Sequence, residues 1–424
     1  MHAESFTLTA RYVVPVDGPP IEGGRLVVSD GAIVRIEPRR RGRADHDLGN
    51  VAVLPGFVNA HTHLDLTPLP LHPDRTDGTE DEVRWLRRVV EHRRSAAPES
   101  SGRAIERNVA ASLAGGTTSL ADITPAGASW EALSASPMRG VVFSEVLGLK
   151  RMRGIETNQA AWDWIASLGI GEDEPMRRLR PGLSPHAPYS TAGWLYERAA
   201  SGKLPLSTHL AEMPEELTLL QSRGGPLRRF LEDIGAWDDD WDPVGPSPAD
   251  YLRRGELRRA DWLVAHGTYL EADDFWGLRP SGDDDRRVAI AYCPRTHARF
   301  GHDPHPYRAM LGRGVIVCLG TDGLASSPSL SVLDEVRFLH ARDPSLSGPM
   351  LLTMATLFGA WALRLDEVVG TLTPGKRADL AVVALPDRDA DDPHELILEG
   401  DGPVVATMID GEFVARHKAE QGDK

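Results

Sequence analysis

Two histidines separated by one residue close an apolar run, Leu54-Pro55-Gly56-Phe57-Val58-Asn59-Ala60-His61-Thr62-His63-Leu64-Asp65. In a β-strand alternate side chains point the same way, so His61 and His63 would project together from the strand's C-terminal end. Two imidazoles aimed at one point are half of a metal's coordination shell. The pair alone is a weak signal. Further along, His186, His209, His266 and Asp322 each follow a short apolar run of strand character. Fifteen histidines occur in the chain, and five of them close such runs. Singly, each reads as a hydrogen-bonded structural residue; jointly, they read as a site.

The elements that must carry these residues are strands at 53–60, 117–123, 140–146, 180–184, 205–208, 262–265, 288–292 and 315–320. Intervening stretches such as 82–95, 193–201 and 215–222 read as helices. Eight strands alternating with helices argue for an α/β fold, a (β/α)8 TIM barrel over residues 55–366. Enzymes of that architecture place their active site at the C-terminal strand ends, where the histidines fall. The flanks differ. Residues 6–53 and 372–415 hold short strands, with Asp30-Gly31 and Asp410-Gly411 as hairpin signals. Neither flank can bury much alone, so residues 1–54 plus 367–424 are expected to form one small β-sandwich. The stretch 233–249, rich in Asp, Trp and Pro, reads as a surface excursion.

The chain has 424 residues, with 47 basic against 62 acidic side chains and a net charge of −15. A nucleic-acid footprint would be a basic stripe, and none is present; the arginines of 39–43 read as a solvated loop. The two cysteines, Cys293 and Cys318, lie in apolar runs and read as small buried residues of a reduced protein. The first residues lack a basic segment followed by an apolar one, and no apolar run approaches the ~20 residues that span a bilayer. No membrane partner is expected, and the reading is a soluble, cytoplasmic protein.

His61-Thr-His63, Ser207-Thr-His209-Leu-Ala-Glu212, Ala265-His266-Gly267 and Gly320-Thr-Asp322-Gly together resemble the amidohydrolase superfamily, in its mononuclear deaminase and chlorohydrolase branch. Thr373-Pro-Gly-Lys-Arg-Ala-Asp379-Leu is similar to that family's return into the β-sandwich. Binuclear members carry a carboxylated lysine at the end of strand four, where this chain has His186; Lys150, the nearest lysine, reads as a loop charge. The resemblance therefore implies one divalent metal held by His61, His63, His209 and Asp322. Zinc suits three imidazoles and a carboxylate, and ferrous iron is an alternative. Asp322 can also take a proton from a metal-activated water. Glu212 is the candidate proton shuttle, with a charge at a helix N-terminus before Pro214 as the alternative. His266 either assists catalysis at the attacked carbon or is itself a ligand. Carried over from the family, His186 contacts substrate and Trp85 occupies an aromatic position able to stack on a base, although a core tryptophan fits equally. Among His297, His302 and His305, spread along a loop broken by Gly and Pro, His302 is taken as a substrate contact.

Pro205-Leu-Ser-Thr-His-Leu-Ala-Glu-Met-Pro-Glu-Glu-Leu, Gly225-Pro-Leu-Arg-Arg-Phe-Leu-Glu and Cys293-Pro-Arg-Thr-His extend the likeness to aminofutalosine deaminases and their adenosylhomocysteine, methylthioadenosine and adenosine deaminase relatives. The implied reaction is hydrolytic deamination of an adenine on a modified ribose. Alternatives are deamination of guanine or cytosine, or dechlorination of an s-triazine; a non-catalytic scaffold would be free to lose these ligands. Departures from the pattern are Asp65, where glutamate is common, and acidic excursions at 237–248 and 281–287. Relatives of this kind often dimerise, so a homodimer is a further expectation of the resemblance.

Overall fold

The computed structural model describes residues 5–38, 43–69, 81–95, 98–170, 178–280 and 285–416. The arginine stretch at 39–43 and the excursion at 281–287 fall largely outside them.

Eight parallel strands follow one another in chain order: Phe57–His63, Thr117–Pro125, Arg139–Val146, Leu179–Pro185, Leu206–Leu210, Trp262–His266, Val288–Tyr292 and Ile316–Leu319. A ninth, two-residue strand, Asp322–Gly323, pairs in parallel with the first, Asp322 beside Thr62 and Gly323 beside His63. The sheet thus curls until its two ends meet, a TIM-barrel-like fold. Most of these strands are buried along their whole length, which is why they read as near-continuous apolar runs rather than alternating ones. Seven of the expected strands agree with these to within about two residues at either end; the first, expected over 53–60, starts four residues later, at Phe57, because Val51–Pro55 pairs in another sheet, and the helix Glu82–Ser95 falls as read.

The meeting of the first and last strands requires a glycine. A Cβ on Gly320 would lie 2.8 Å from the Cβ and 2.9 Å from the backbone nitrogen of His61. The close approach lets Thr321 N–H donate to the His61 carbonyl at 3.0 Å. Beside it, the buried Asn59 amide donates to the Thr321 hydroxyl at 2.8 Å and accepts from Thr321 N–H at 3.1 Å. Backbone polar groups at the seam are therefore satisfied on both sides.

The chain's two ends share a six-stranded sheet. Val51–Pro55 pairs antiparallel with Leu380–Ala384 and runs through Gly56 into the first barrel strand. A second sheet of four strands comes from the N-terminal flank alone. Leu8, Leu26 and Ile33 of this second sheet share one apolar cluster with Val53, Leu380 and Met408 of the first. Both Asp-Gly pairs make the tight turns expected, with Asp30 and Gly31 at φ 51° and 72° and Asp410 and Gly411 at 52° and 79°. Positive φ at both central positions is the type I′ geometry that matches strand twist.

One expectation needs correction. The 233–249 excursion is not a purely surface feature: Trp237 and Trp241 are buried and pack edge to face, 5.6 Å apart. Burying two indoles anchors the segment in spite of its five aspartates, a gain that charge counting along the sequence does not register.

Candidate active site

His61 and His63 leave the first strand side by side, as the i, i+2 spacing requires, and His209, His266 and Asp322 reach the same point from the fifth, sixth and ninth strands. All five are at least nine-tenths buried. The His63 Nδ1 lies 3.0 Å from the Ile123 carbonyl, and the His209 Nδ1 lies 2.9 Å from the His186 carbonyl. A carbonyl only accepts, so each Nδ1 carries the proton and each Nε2 presents a lone pair. Those two Nε2 atoms stand 3.2 Å apart. The Nε2 of His61 is buried without a hydrogen-bond partner and faces Asp322 Oδ1 at 3.5 Å, which is also 3.6 Å from His63 Nε2.

Lone pairs pressed together in a dry cavity repel unless a cation sits among them. Burial, reinforced by neighbouring imidazoles, pushes His63 down to about 3 and holds His209 and His266 well below the usual histidine range. Protons therefore do not fill that role. For Asp322, burial favours the acid, but His61 and His63 outweigh it and keep the carboxyl ionised. Imidazole nitrogens around one carboxylate are donors that suit a divalent ion, and among the described residues two sets lie within ligating reach, His61, His63, Asp322 and His61, His209, His266. The residues present fit a metal ion.

The backbone is bent to make this convergence. Ala211, His266 and Asp322 adopt left-handed φ of 51°, 68° and 56°. Such values are uncommon away from glycine and cluster at functional sites, where surrounding structure holds them. At Ala211 the holding group is Glu216, fully buried, whose carboxylate accepts from Ala211 N–H at 3.0 Å and Glu212 N–H at 3.3 Å. The Asp322 Oδ2 accepts from the Ser326 hydroxyl. Asp122 performs the same service below His63, accepting from Leu64 N–H at 2.8 Å and from Ser129.

Glu212 lies before the helix Pro214–Ser222 rather than in its first turn. Its Oε1 is 3.1 Å from His266 Nε2, so the carboxyl faces the imidazole cluster. His186 stands at the end of the fourth strand, its Nδ1 2.6 Å from the Ser190 hydroxyl and its Nε2 3.9 Å from Glu145. Lys150 is exposed. Trp85 packs edge-on against Phe300 at 5.1 Å, and its indole N–H donates to the Ala325 carbonyl at 3.0 Å. It sits in a small apolar cluster with Leu66 and Val89. His305 supports the site from behind, with its Nε2 2.8 Å from the His266 carbonyl. His302 points at Glu82, Nε2 to Oε2 3.0 Å.

Glu82 is the residue that sequence reasoning missed. It opens the helix Glu82–Ser95, is 6% exposed, and its carboxyl is buried against that of Glu212. Burial and then the partner carboxylate hold Glu212 well above the usual carboxylate range, and burial raises Glu82 likewise. Two carboxyls buried side by side disfavour a second negative charge, which is the physical cause of both shifts. In the sequence Glu82 figured only as the first residue of the helix read over 82–95. A second missed group is the ion triad of Arg93 with Asp65 at 3.1 Å and Glu145 at 3.3 Å. It gives the unusual Asp65 a partner.

Residues 52–414 match the amidohydrolase family. The chain belongs to that family. This amidohydrolase is 29% identical over 396 residues to a 5-methylthioadenosine/S-adenosylhomocysteine deaminase of Moorella thermoacetica, covering 88% of this chain and 83% of that one. It is 29% identical over 390 residues to an aminodeoxyfutalosine deaminase of Deinococcus radiodurans, with 84% of each covered. In fold it is similar to the aminofutalosine deaminase of Helicobacter pylori in complex with methylthio-coformycin. That match has a TM-score of 0.80 and 23% identity, and covers 97% of this chain and 100% of that one.

Proposed function

We propose that this amidohydrolase is a metal-dependent deaminase that converts the adenine of a modified nucleoside to hypoxanthine and releases ammonia. The observation that carries the reading is the Glu212 carboxyl, set 3.1 Å from His266 and facing a cluster of donors fit for one divalent ion. The names of the two sequence relatives given above, both for deamination of an adenine nucleoside, support the same choice. His61, His63, His209 and Asp322 would hold the metal, zinc being the ion that suits such donors, and His266 adjoins His61 and His209. A bound divalent ion would supply a water of lowered pKa as the nucleophile at C6. Asp322 takes the proton that this water loses. Glu212 delivers a proton to ring nitrogen N1, collects the proton of the hydroxyl then on C6 and passes it to the departing amine, and the proton held on Asp322 restores it. Water adds oxygen to C6, the C6–N bond breaks, and ammonia leaves. His186, Trp85 and His302 are the proposed substrate contacts. The architecture that serves this chemistry is a (β/α)8 barrel over 55–366 and a β-sandwich built from 1–54 plus 367–424.

The test is ammonia release by metal-loaded protein against adenosine, methylthioadenosine, adenosylhomocysteine, aminofutalosine and guanine, with Glu212→Gln beside it. An adenine nucleoside is expected to turn over, and the variant to lose about a hundredfold to ten-thousandfold in kcat with metal still bound. Silence across the adenine nucleosides at full metal occupancy would overturn the reading.

A further inference from the structure

A cavity of about 310 Å³ lies at the opposite end of the barrel from the imidazole cluster. Val141, Arg180, Leu206 and Trp262, at the starts of the third to sixth strands, line it together with 362–364, at the end of the helix Leu357–Ala362. Arg180 stands six residues before His186, an even spacing that turns both to one face of the fourth strand. At a strand's rise of about 3.3 Å per residue the two are about 20 Å apart. A ligand in this cavity is therefore remote from the reacting centre.

Arg180 is a half-buried guanidinium with no carboxylate paired to it among the described residues. Its Nη2 donates to the Leu363 carbonyl, while its Nε is buried without a partner. Four basic side chains line the cavity, Arg180, Lys203, Arg259 and Arg364, against one acid, Asp261. That acid is already engaged, since Arg364 donates to its two oxygens at 2.5 Å and 3.2 Å. Burial, then the neighbouring Arg364, holds the Arg180 guanidinium below its usual range. Lys203 and Arg259 stand exposed at the rim. Lys203 has no ion pair among the described residues, and Arg259 meets Glu256 at 3.0 Å on the open surface. A guanidinium withdrawn from water is ordinarily paired, and donating to one carbonyl at a helix end uses one of its five N–H groups. The rest of the lining is apolar, with Phe143 and Leu363 deepest.

We propose that this cavity binds a small organic oxyanion, a carboxylate or phosphate monoester whose head meets Arg180, Lys203 and Arg259 and whose carbon body packs on Phe143 and Leu363. A planar guanidinium matches either head through parallel N–H donors. A bare inorganic ion would leave the apolar wall uncovered and much of the volume empty, since a water takes only about 30 Å³. The occupant would tie four strands to the segment that closes the barrel's base, and so stabilise the folded chain by mass action. Neither the metal nor the nucleoside takes part.

The experiment titrates metal-loaded protein with phenyl phosphate, benzoate and inorganic phosphate by calorimetry, and follows Tm with each. Phenyl phosphate or benzoate is expected to bind and raise Tm, and the tighter of the two identifies the head. Inorganic phosphate is expected to bind at least about tenfold more weakly, for want of an apolar body. Arg180→Met should weaken binding about tenfold to a hundredfold, the range for hydrogen bonds to a charged group. Lys203→Glu changes an exposed side chain and should weaken it about tenfold, which keeps the test open should the first variant fail to fold. His63→Ala, at the other end of the barrel, should leave the affinity unchanged. Binding lost in His63→Ala but kept in Arg180→Met would place the anion at the imidazole cluster and overturn the assignment. Silence from all three anions, equal affinity for inorganic phosphate, or an affinity unmoved in the folded variants would overturn it as well.

Discussion

The floor and the cap of this active site are built on different principles. The floor is carried by strands: His61, His63, His209, His266 and Asp322 are aimed by register, and two of the rings are fixed by backbone carbonyls. The cap is carried by the helix Glu82–Ser95, whose Glu82, Trp85 and Arg93 each find a partner far away in sequence, on Glu212, Ala325 and Glu145. The floor is therefore rigid before substrate arrives, as metal chemistry demands. The cap's position depends on a few side-chain contacts, and its Leu86, Val90 and Arg93 also line a cavity beside His186. The donor cluster is built into the scaffold, and the carboxyl that faces Glu212 into an element laid over it.

The sharpest way to break the floor is to remove a donor. His63→Ala leaves the remaining groups with one fewer neutral imidazole facing Asp322. Elemental analysis should show loss of most of the bound divalent ion, and kcat should fall on the order of a thousandfold, several kcal/mol of transition-state stabilisation. A matching loss on chelation, restored by added zinc, would tie activity to the ion. Full activity in metal-free protein would show that the floor is not a metal centre.

The second prediction concerns Glu216, which holds the strained Ala211–Glu212 backbone. Burial raises its carboxyl from 4.5 to about 7. A carboxyl with a folded value above its unfolded one binds protons preferentially in the folded state. Its stabilisation is complete below about 4.5 and is lost as pH rises through about 7, worth on the order of 3 kcal/mol. Denaturant titrations between pH 5 and 8 should show stability falling with pH, and Glu216→Gln should flatten that slope. A slope of equal size in the variant would assign the pH dependence to other groups.

The floor was legible because its signals are local. A histidine closing an apolar run needs only the strand period and the rule that barrel sites sit at strand ends. Asn59 was equally accessible in principle, two residues before His61 and so on the same face. Its partner Thr321 lies on the far side of the sheet seam, however, and nothing local announces that pairing. Glu82 was illegible for a stronger reason. An acidic residue at the start of an amphipathic helix is ordinarily a solvated complement to the helix dipole. Only packing shows it buried against a second carboxyl. The tryptophans of the 233–249 segment repeat the lesson, since composition marked the stretch as polar while burial of two rings decided its place.

The cap offers a smaller and more informative effect. Glu82→Gln keeps the shape of the side chain but removes the negative charge that, after burial, does most to raise Glu212. The Glu212 carboxyl should then lose its proton at lower pH. The alkaline limb of the kcat profile, which reports the protonated shuttle, should move towards acid, and kcat at neutral pH should fall about tenfold, the worth of one hydrogen bond to a charged group. Metal content should stay at the wild-type level, because Glu82 is outside the set of donors that meet at His61. Reduced kcat with an unmoved limb would make Glu82 a packing residue of the cap. A moved limb with metal retained would show that the cap, placed only by tertiary contacts, sets the proton chemistry of a floor whose own geometry was readable from strand spacing.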